Sequence, residues 1–231
     1  MDVIQMISPP SSKPDPSATD ATRRRYQRLS PIYDVMEGLA ERRYQPWRTK
    51  LWSQVPGLNV LEVGIGTGKN MPFYPADISI TGVDLTPGML QRAQKRASEL
   101  RLSSRVELHL GDVQELDFPN AAFDSAVAAF VFCSVPDPVL GLCELKRVVK
   151  PGGRVLLLEH MRSPNPIMGV VMNFLNPLIV RMMGANINRQ TVENVRKAGL
   201  EIEQVEDLWA GGIFKLIAAR VPQHRVDLSQ R

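Results

Sequence analysis

The sequence predicts a single α/β domain built on a largely parallel sheet with helices on both faces. Five short apolar runs carry this reading: Asn59–Val63, Ile78–Asp84, Val106–Leu110, Phe123–Phe130 and Arg154–Glu159. Helical stretches separate them, which is the order that buries a parallel sheet on both sides. A length of 231 residues, 44% hydrophobic and 23% charged, suits one domain with a sizeable core.

The elements follow in order. Residues 1–21 hold Pro9, Pro10, Pro14 and Pro16 among Ser, Lys and Asp, too little apolar surface to order a segment, and are expected to form a flexible leader. Residues 22–55 read as a helical arm interrupted at Pro31 and Pro46. Leu29, Ile32, Tyr33 and Met36 fall at helical spacing opposite the arginines, so the arm is amphipathic. Between 22 and 50 eight basic residues face three acidic ones, while the whole chain has a net charge of only +4. Such an excess suits an anionic surface or a nucleic acid, and also an ordinary solvated face.

After Pro56-Gly57 the main domain, 56–222, begins. Its helices are expected near Thr86–Leu100 and Val139–Val149, the second with Asp137 as N-cap and Pro138 at its first position. Asn188–Ala198 reads as a helix closed by Gly199, and strands at Leu200–Trp209 and Phe214–Val221 flank a Gly211-Gly212 turn. Mean hydropathy is −0.13 and no apolar run is long enough to cross a bilayer. The N-terminus lacks the pattern of a secretory signal, and Cys133 and Cys143 are too few for a disulfide framework. The expectation is a cytoplasmic protein.

The first strand ends in Leu61-Glu62-Val63-Gly64-Ile65-Gly66-Thr67-Gly68. Glycines at a strand-to-helix corner let a ligand approach bare backbone. The spacing departs from the dinucleotide pattern, and Glu62 would repel a pyrophosphate but suit a ligand carrying an amino or sulfonium cation. Asp84, twenty residues after Gly64, is placed to accept both ribose hydroxyls. Asp112, after the third strand in Gly111-Asp112-Val113, is placed to accept from an adenine amine. Each residue has a packing, capping or turn role as its alternative; their joint order argues for a nucleoside site.

That order, with Phe123-Asp124 and Pro151-Gly152-Gly153, resembles the class I S-adenosylmethionine-dependent methyltransferases from about Tyr26 to the last strand. The resemblance implies a Rossmann-like, doubly wound, seven-stranded sheet with one antiparallel strand. It also implies S-adenosyl-L-methionine as cofactor and no metal. Gly64, Ile65, Gly66 and Gly68 with Glu62 would cradle its methionine part, Asp84 and Leu85 the ribose, and Gly111, Asp112 and Val113 the adenine. Tyr33, Met89, Ala129 and Phe130 would close over the donor.

Methyl transfer from a sulfonium is an in-line displacement that needs a deprotonated nucleophile and excluded water. An amine with a pKa near 10.4 is only about 0.1% neutral at pH 7. Desolvation or a base can recover up to roughly 4–5 kcal/mol of that penalty. His160, directly after the fifth strand, is the best-placed base, with Glu159 to orient it; a turn histidine bonded to backbone is its alternative. Tyr26, Tyr33 and Phe132 offer ring faces to a cation, with core packing as the competing role. His109 and His224 read as structural or exposed.

Residues 161–183 hold Met161, Met168, Met172, Met182 and Met183, five of the ten methionines, around the apolar stretch Ile167–Gly184. A lid over 163–187, adaptable to apolar ligands, is expected there, a helix packed on the sheet being the alternative. Arg23, Arg24, Arg25 and Arg28 would add roughly 4 kcal/mol at most near an anionic bilayer. Together these predict peripheral attachment to the inner face of a membrane and a membrane-lipid or other apolar substrate.

Within the superfamily, Tyr33-Asp34, Trp47-Arg48 and the frame from Phe123-Asp124 to Ser134-Val135 are similar to ubiquinone/menaquinone C-methyltransferases. The stretch LEVGIGTGKNMPFYP, the turn Phe132-Cys133-Ser134-Val135 and the ending Leu158-Glu159-His160 are closer to bacterial phospholipid N-methyltransferases. Membrane-associated small-thiol methyltransferases share those features. The resemblance thus implies N-methylation of phosphatidylethanolamine, with quinone C-methylation or thiol S-methylation as alternatives. No nucleic-acid partner is expected, because Ala129-Phe130-Val131-Phe132 replaces the Asn/Asp-Pro-Pro-aromatic motif of adenine methylation. The oligomeric state is not legible.

Overall fold

Alternate side chains of each inner strand face opposite layers of core, and this fixes the architecture of the computed structural model, which describes residues 13–209 and 211–223. The strands are β1 (Asn59–Val63), β2 (Ser79–Asp84), β3 (Val106–Leu110), β4 (Phe123–Ala129), β5 (Val149–His160), β6 (Glu201–Trp209) and β7 (Phe214–Arg220). The helices are α1 (Pro16–Leu29), α2 (Tyr33–Trp52), α3 (Pro87–Glu99), α4 (Pro138–Val148), α5 (Pro166–Met183) and α6 (Thr191–Lys197). Leu61, Val63, Ala126 and Leu157 face a core shared with Leu142 and Leu145 of α4 and Val195 of α6. Val60, Val127, Leu156 and Leu158 face the other core, closed by Leu51 and Trp52 of α2 and Ala93 and Ala97 of α3.

The seven strands lie in the order β3-β2-β1-β4-β5-β7-β6. All neighbouring pairs from β3 to β5 are parallel, and β7 runs antiparallel to both β5 and β6. This is the doubly wound sheet with one antiparallel strand that the sequence led us to expect. Asp137 does cap α4, accepting from Val139 N and Leu140 N at 3.0 Å each.

Several expectations are corrected. Helix α1 begins at Pro16, six residues before the expected arm, because Asp15 accepts from Ser17 N at 2.9 Å and Pro16 has no N–H to leave unpaired. Residues 16–21 are therefore helix rather than leader. Pro31 does part α1 from α2, but α2 continues through Pro46. Pro46 is exposed, whereas Arg48, Leu51 and Trp52 just beyond it are buried and hold the helix in place. Pro151-Gly152-Gly153 lies inside β5 as an excursion: Phe123 pairs with Val149 and Ser125 with Arg154, leaving Asp124 opposite four residues. A Cβ on Gly153 would sit 2.4 Å from the Asp124 carbonyl oxygen, so only glycine fits there. His224 lies outside the described residues.

Candidate cofactor and acceptor site

The strand register brings the predicted residues to one edge of the sheet. Val63 pairs with Val83 on one side and Ala128 on the other, and Asp84 pairs with Leu110. The glycine corner, Asp84, Gly111-Asp112 and Ala129-Phe130 thus all emerge at the carboxyl ends of parallel strands. The order reverses between β1 and β4, which is where such sheets open a crevice.

A cleft occupies that crevice. Tyr26, Tyr33, Gly64, Gly66, Asp84, Leu85, Met89, Gly111, Asp112, Val113, Ala129 and Phe130 line it, together with Thr22, Val83, Thr86, Val131, Ser134, Val135 and Pro136. Gly66 has φ +56°, and a Cβ there would meet nothing nearer than 3.9 Å, so its bare backbone faces open space rather than a packed neighbour. Asp84 accepts from Gly66 N and Thr86 N at 2.9 Å each. Burial pushes its pKa up to about 6, which two hydroxyl donors would relieve. Phe130 holds φ +61°, a strained value for a bulky residue, where its backbone leaves β4 at the cleft.

Asp112 is held rather than free. It accepts from Gln114 N at 2.9 Å and from Thr19 Oγ1 of α1 at 2.9 Å, and Gln114 Oε1 accepts from Asp137 N. Helix α1 therefore rests on the cleft. Gln27 of α1 accepts from Gly88 N at 3.0 Å, and the Tyr26 hydroxyl is hydrogen-bonded to Ser134 Oγ. Helix α2 is tied in by Asp34, which accepts from Thr67 Oγ1 at 2.6 Å and from Arg96 at 2.9 Å. That anchor places Tyr33 on the cleft wall.

Three expected cofactor residues lie behind the lining. The Glu62 carboxylate is buried, accepting from Asn70 Nδ2 at 2.7 Å and from the Tyr74 hydroxyl. Arg48 also donates to Asn70, at 2.6 Å, and binds Glu41 with two nitrogens. Burial pushes Glu62 up to about 7. Arg48, counted in the basic arm, is thus an interior residue that braces the glycine corner. Ile65 is buried in the core, and a Cβ on Gly68 would strike Met71 at 2.7 Å.

His160 also lies outside the cleft lining. Its ring packs 6.2 Å from that of Phe214, its Nε2 is buried with no hydrogen-bond partner among the described residues, and burial pushes its pKa down to about 4. Glu159 points to the opposite face of β5, where Oε1 accepts from Val131 N and Phe132 N at 2.9 Å each. It holds the turn after Phe130 rather than orienting His160. Phe132 is a core residue with no exposed surface, and His109 packs on Phe118, 3.0 Å from Glu107.

Sequence reasoning missed Thr19, Thr22 and Ser134, and gave Asp34 no role. Thr19 fell inside the assumed leader, although Asp15-Pro16-Ser17 is a legible helix start. It also missed the aromatic cluster that seats Phe130: Tyr44 lies 4.8 Å from Phe130 and 5.9 Å from Phe214, and Trp47 lies 5.2 Å from Phe214.

A methyltransferase domain family matches residues 61–157. A phosphatidylethanolamine N-methyltransferase of Cereibacter sphaeroides is 38% identical over 152 residues, 65% of this chain and 74% of that protein. The chain belongs to the class I S-adenosylmethionine-dependent methyltransferases. A ubiquinone/menaquinone biosynthesis C-methyltransferase of a Geobacter species is 28% identical over 175 residues, 72% of this chain and 74% of that protein. Among solved structures, the [4+2]-cyclase SpnF superposes with a TM-score of 0.71 at 21% identity, over 88% of this chain and 96% of that one. A methyltransferase of Thermotoga maritima, described as a possible histamine N-methyltransferase, gives 0.67 at 22%, over 87% of this chain and 99% of that one. That a cyclase shares the fold shows that the fold alone does not set the reaction. The cofactor of this methyltransferase is S-adenosyl-L-methionine, and the bare Gly66 backbone and the Asp84 carboxylate fit it.

Proposed function

We propose that this methyltransferase N-methylates the amino head group of phosphatidylethanolamine, working as a peripheral protein on an anionic membrane surface. The observation that carries the lipid side of this reading is the polarity of α5. Gly169, Met172 and Asn176 face inward, while Ile167, Val170, Val171, Phe174 and Leu178 face out, Phe174 with 83% of its surface exposed. An ordinary surface helix has the reverse polarity, and exposed apolar patches of this kind mark interaction sites. No helix of the described residues is long and apolar enough to cross a membrane.

The arm adds to this face. A Cβ on Gly184, the C-cap of α5, would lie 2.6 Å from Arg25 Cδ, so α1 packs against the end of α5. Arg23, Arg24 and Arg28 are exposed, and so are Ile32, Val35 and Met36 where α2 begins. Only Arg25 of the four arginines is partly covered. Arginines interact with anionic head groups while apolar side chains enter the acyl boundary, which gives reversible attachment.

S-adenosylmethionine supplies an electrophilic methyl group on a sulfonium. The residues of this chain have to bring an amine to it, strip its water and let its proton leave. Tyr26, Tyr33 and Phe130 bring aromatic rings to the cleft wall, where an ammonium over a ring gains about 0.5–2 kcal/mol. Lys69 Nζ lies 5.3 Å from the Tyr33 ring and the Arg48 guanidinium 5.5 Å from that of Phe130, cations that compete for those two. Val113, Val131 and Val135 make the rest of the wall apolar, and desolvation there lowers the amine pKa toward neutrality. Among the polar groups on the cleft wall, the Tyr26–Ser134 hydroxyl pair can relay the amine's proton outward to water. Similarity to the Cereibacter enzyme supports the amine over a quinol carbon or a thiol.

The test supplies radiolabelled S-adenosylmethionine with phosphatidylethanolamine vesicles, demethylated quinols and small thiols in parallel. Label in the lipid head group is the expected result. Label confined to the quinol or the thiol would replace this reading.

A further inference from the structure

A second cleft is lined by Pro138 and Val139 at the start of α4, just beyond the Ser134–Pro136 segment of the first, and its chemistry is distinct from that of the cofactor site. Arg162, Arg189, Asn173, Asn188, Gln190 and Asn194 line it, and among the described residues no acidic one does. The Arg162 N–H donates to the Arg189 carbonyl at 2.9 Å, so the two cationic side chains leave adjacent backbones. Among the described residues no carboxylate lies within 4.0 Å of either guanidinium. Arg189 Nη2 donates to the Val135 carbonyl at 2.7 Å, but its Nε is buried without a hydrogen-bond partner among the described residues. Of the nearest acids, Asp137 caps α4 and Glu159 holds the turn after Phe130 with Oε1.

Two guanidinium groups and several side-chain amides converging on one concavity are complementary to an anion with several acceptor oxygens, above all a phosphate ester. Asn173 stands on α5 beside Val170 and Phe174 of the outward apolar stripe, and Arg162 lies across the same helix, where a Cβ on Gly169 would come within 2.5 Å of its guanidinium carbon. The phosphate site and the apolar face therefore share one helix. That juxtaposition matches a ligand with a phosphate at one end and hydrocarbon at the other.

We infer that this cleft binds the phosphodiester of a membrane glycerophospholipid whose acyl chains lie along α5. The inference rests on the membrane-facing reading of α5 and not on which acceptor is methylated. It is tested on the full chain by calorimetry with a short-chain phosphatidylglycerol below its micelle concentration, and separately with inorganic phosphate. Arg162→Gln removes a cation whose side chain makes no hydrogen bond among the described residues. Asn173→Asp keeps the oxygen that accepts from Asn188 Nδ2 at 3.2 Å and adds a negative charge. Each substitution is expected to weaken the lipid about tenfold, Arg162→Gln by the loss of one charge-assisted contact and Asn173→Asp by repulsion of the phosphate, while S-adenosylhomocysteine binds unchanged. Equal lipid affinity in wild type and both variants would overturn the inference, and so would binding of inorganic phosphate with none of the lipid. Failure of vesicle methylation with these binding results intact would remove only the proposed acceptor.

Discussion

Asp84, as the proposed ribose ligand, is expected to make cofactor affinity pH-dependent in a calculable way. In the open cleft its carboxyl titrates at about 6 because burial outweighs the two backbone N–H groups that it accepts. Ribose hydroxyls donating to it favour the charged form, so binding returns the pKa toward the usual carboxylate value near 3.9. The bound state therefore prefers the deprotonated group, and a proton competes with ligand below pH 6. Above pH 6 affinity is flat with respect to this group; by pH 5 it falls about tenfold, worth roughly 1.4 kcal/mol. Calorimetry with S-adenosylhomocysteine between pH 5 and 7, in buffers of different ionisation enthalpy, reads both the affinity and the proton released. Glu62, which titrates at about 7 nearby, is separated from this by Asp84→Asn, which is expected to weaken binding and flatten the profile. An unchanged affinity from pH 7 to 5 in the wild type would refute the role of Asp84.

Further outcomes follow from the same geometry. Asp34→Ala removes the acceptor for Thr67 and Arg96 at a partly exposed site, and is expected to cost about 1–2 kcal/mol in chemical denaturation and several-fold in S-adenosylhomocysteine affinity. His160→Phe is expected to leave turnover unchanged, and a loss of more than about tenfold would return it to the reaction. His160 is held neutral in the fold, so the unfolded chain takes up its proton first. Its stabilising effect is complete above about pH 6.5, and up to about 3 kcal/mol is lost as pH falls toward 4, a loss absent from His160→Phe in pH-dependent melts. Replacing Ile167, Val170 and Phe174 together by Ser is expected to weaken sedimentation with anionic vesicles by at least about tenfold, with S-adenosylhomocysteine binding intact.

Most of the cofactor side was legible because it depends on main-chain geometry at strand ends, which the chain order preserves. Asp84 and Phe130 end apolar runs, and Gly64, Gly66 and Asp112 stand one to three residues beyond one, so finding the strands found the cleft. What the sequence did not disclose is long-range. Thr19 meets Asp112 across 93 positions, and nothing local marks that contact. Glu62 was read as facing a ligand and Glu159 as orienting His160; the fold instead gives both interior partners, Asn70 and Tyr74 for Glu62 and the Val131 and Phe132 N–H groups for Glu159. Apolar patterning located α5 but not its outward polarity, since periodicity shows that a stripe exists and not what it faces. Arg48 was counted as surface charge because its partners Glu41 and Asn70 meet only when α2 docks on the glycine corner.

The proposed site puts the sulfonium donor in the open space in front of the Gly66 backbone. Substituting Gly66→Val fills that space and asks its φ of +56° of a β-branched residue, at a point where no neighbour packs. Titration calorimetry on the wild type should register one equivalent of S-adenosylhomocysteine per chain, and on Gly66→Val none, in a protein that still melts cooperatively at a temperature lowered by that strain. Full uptake by a folded Gly66→Val protein would contradict the account.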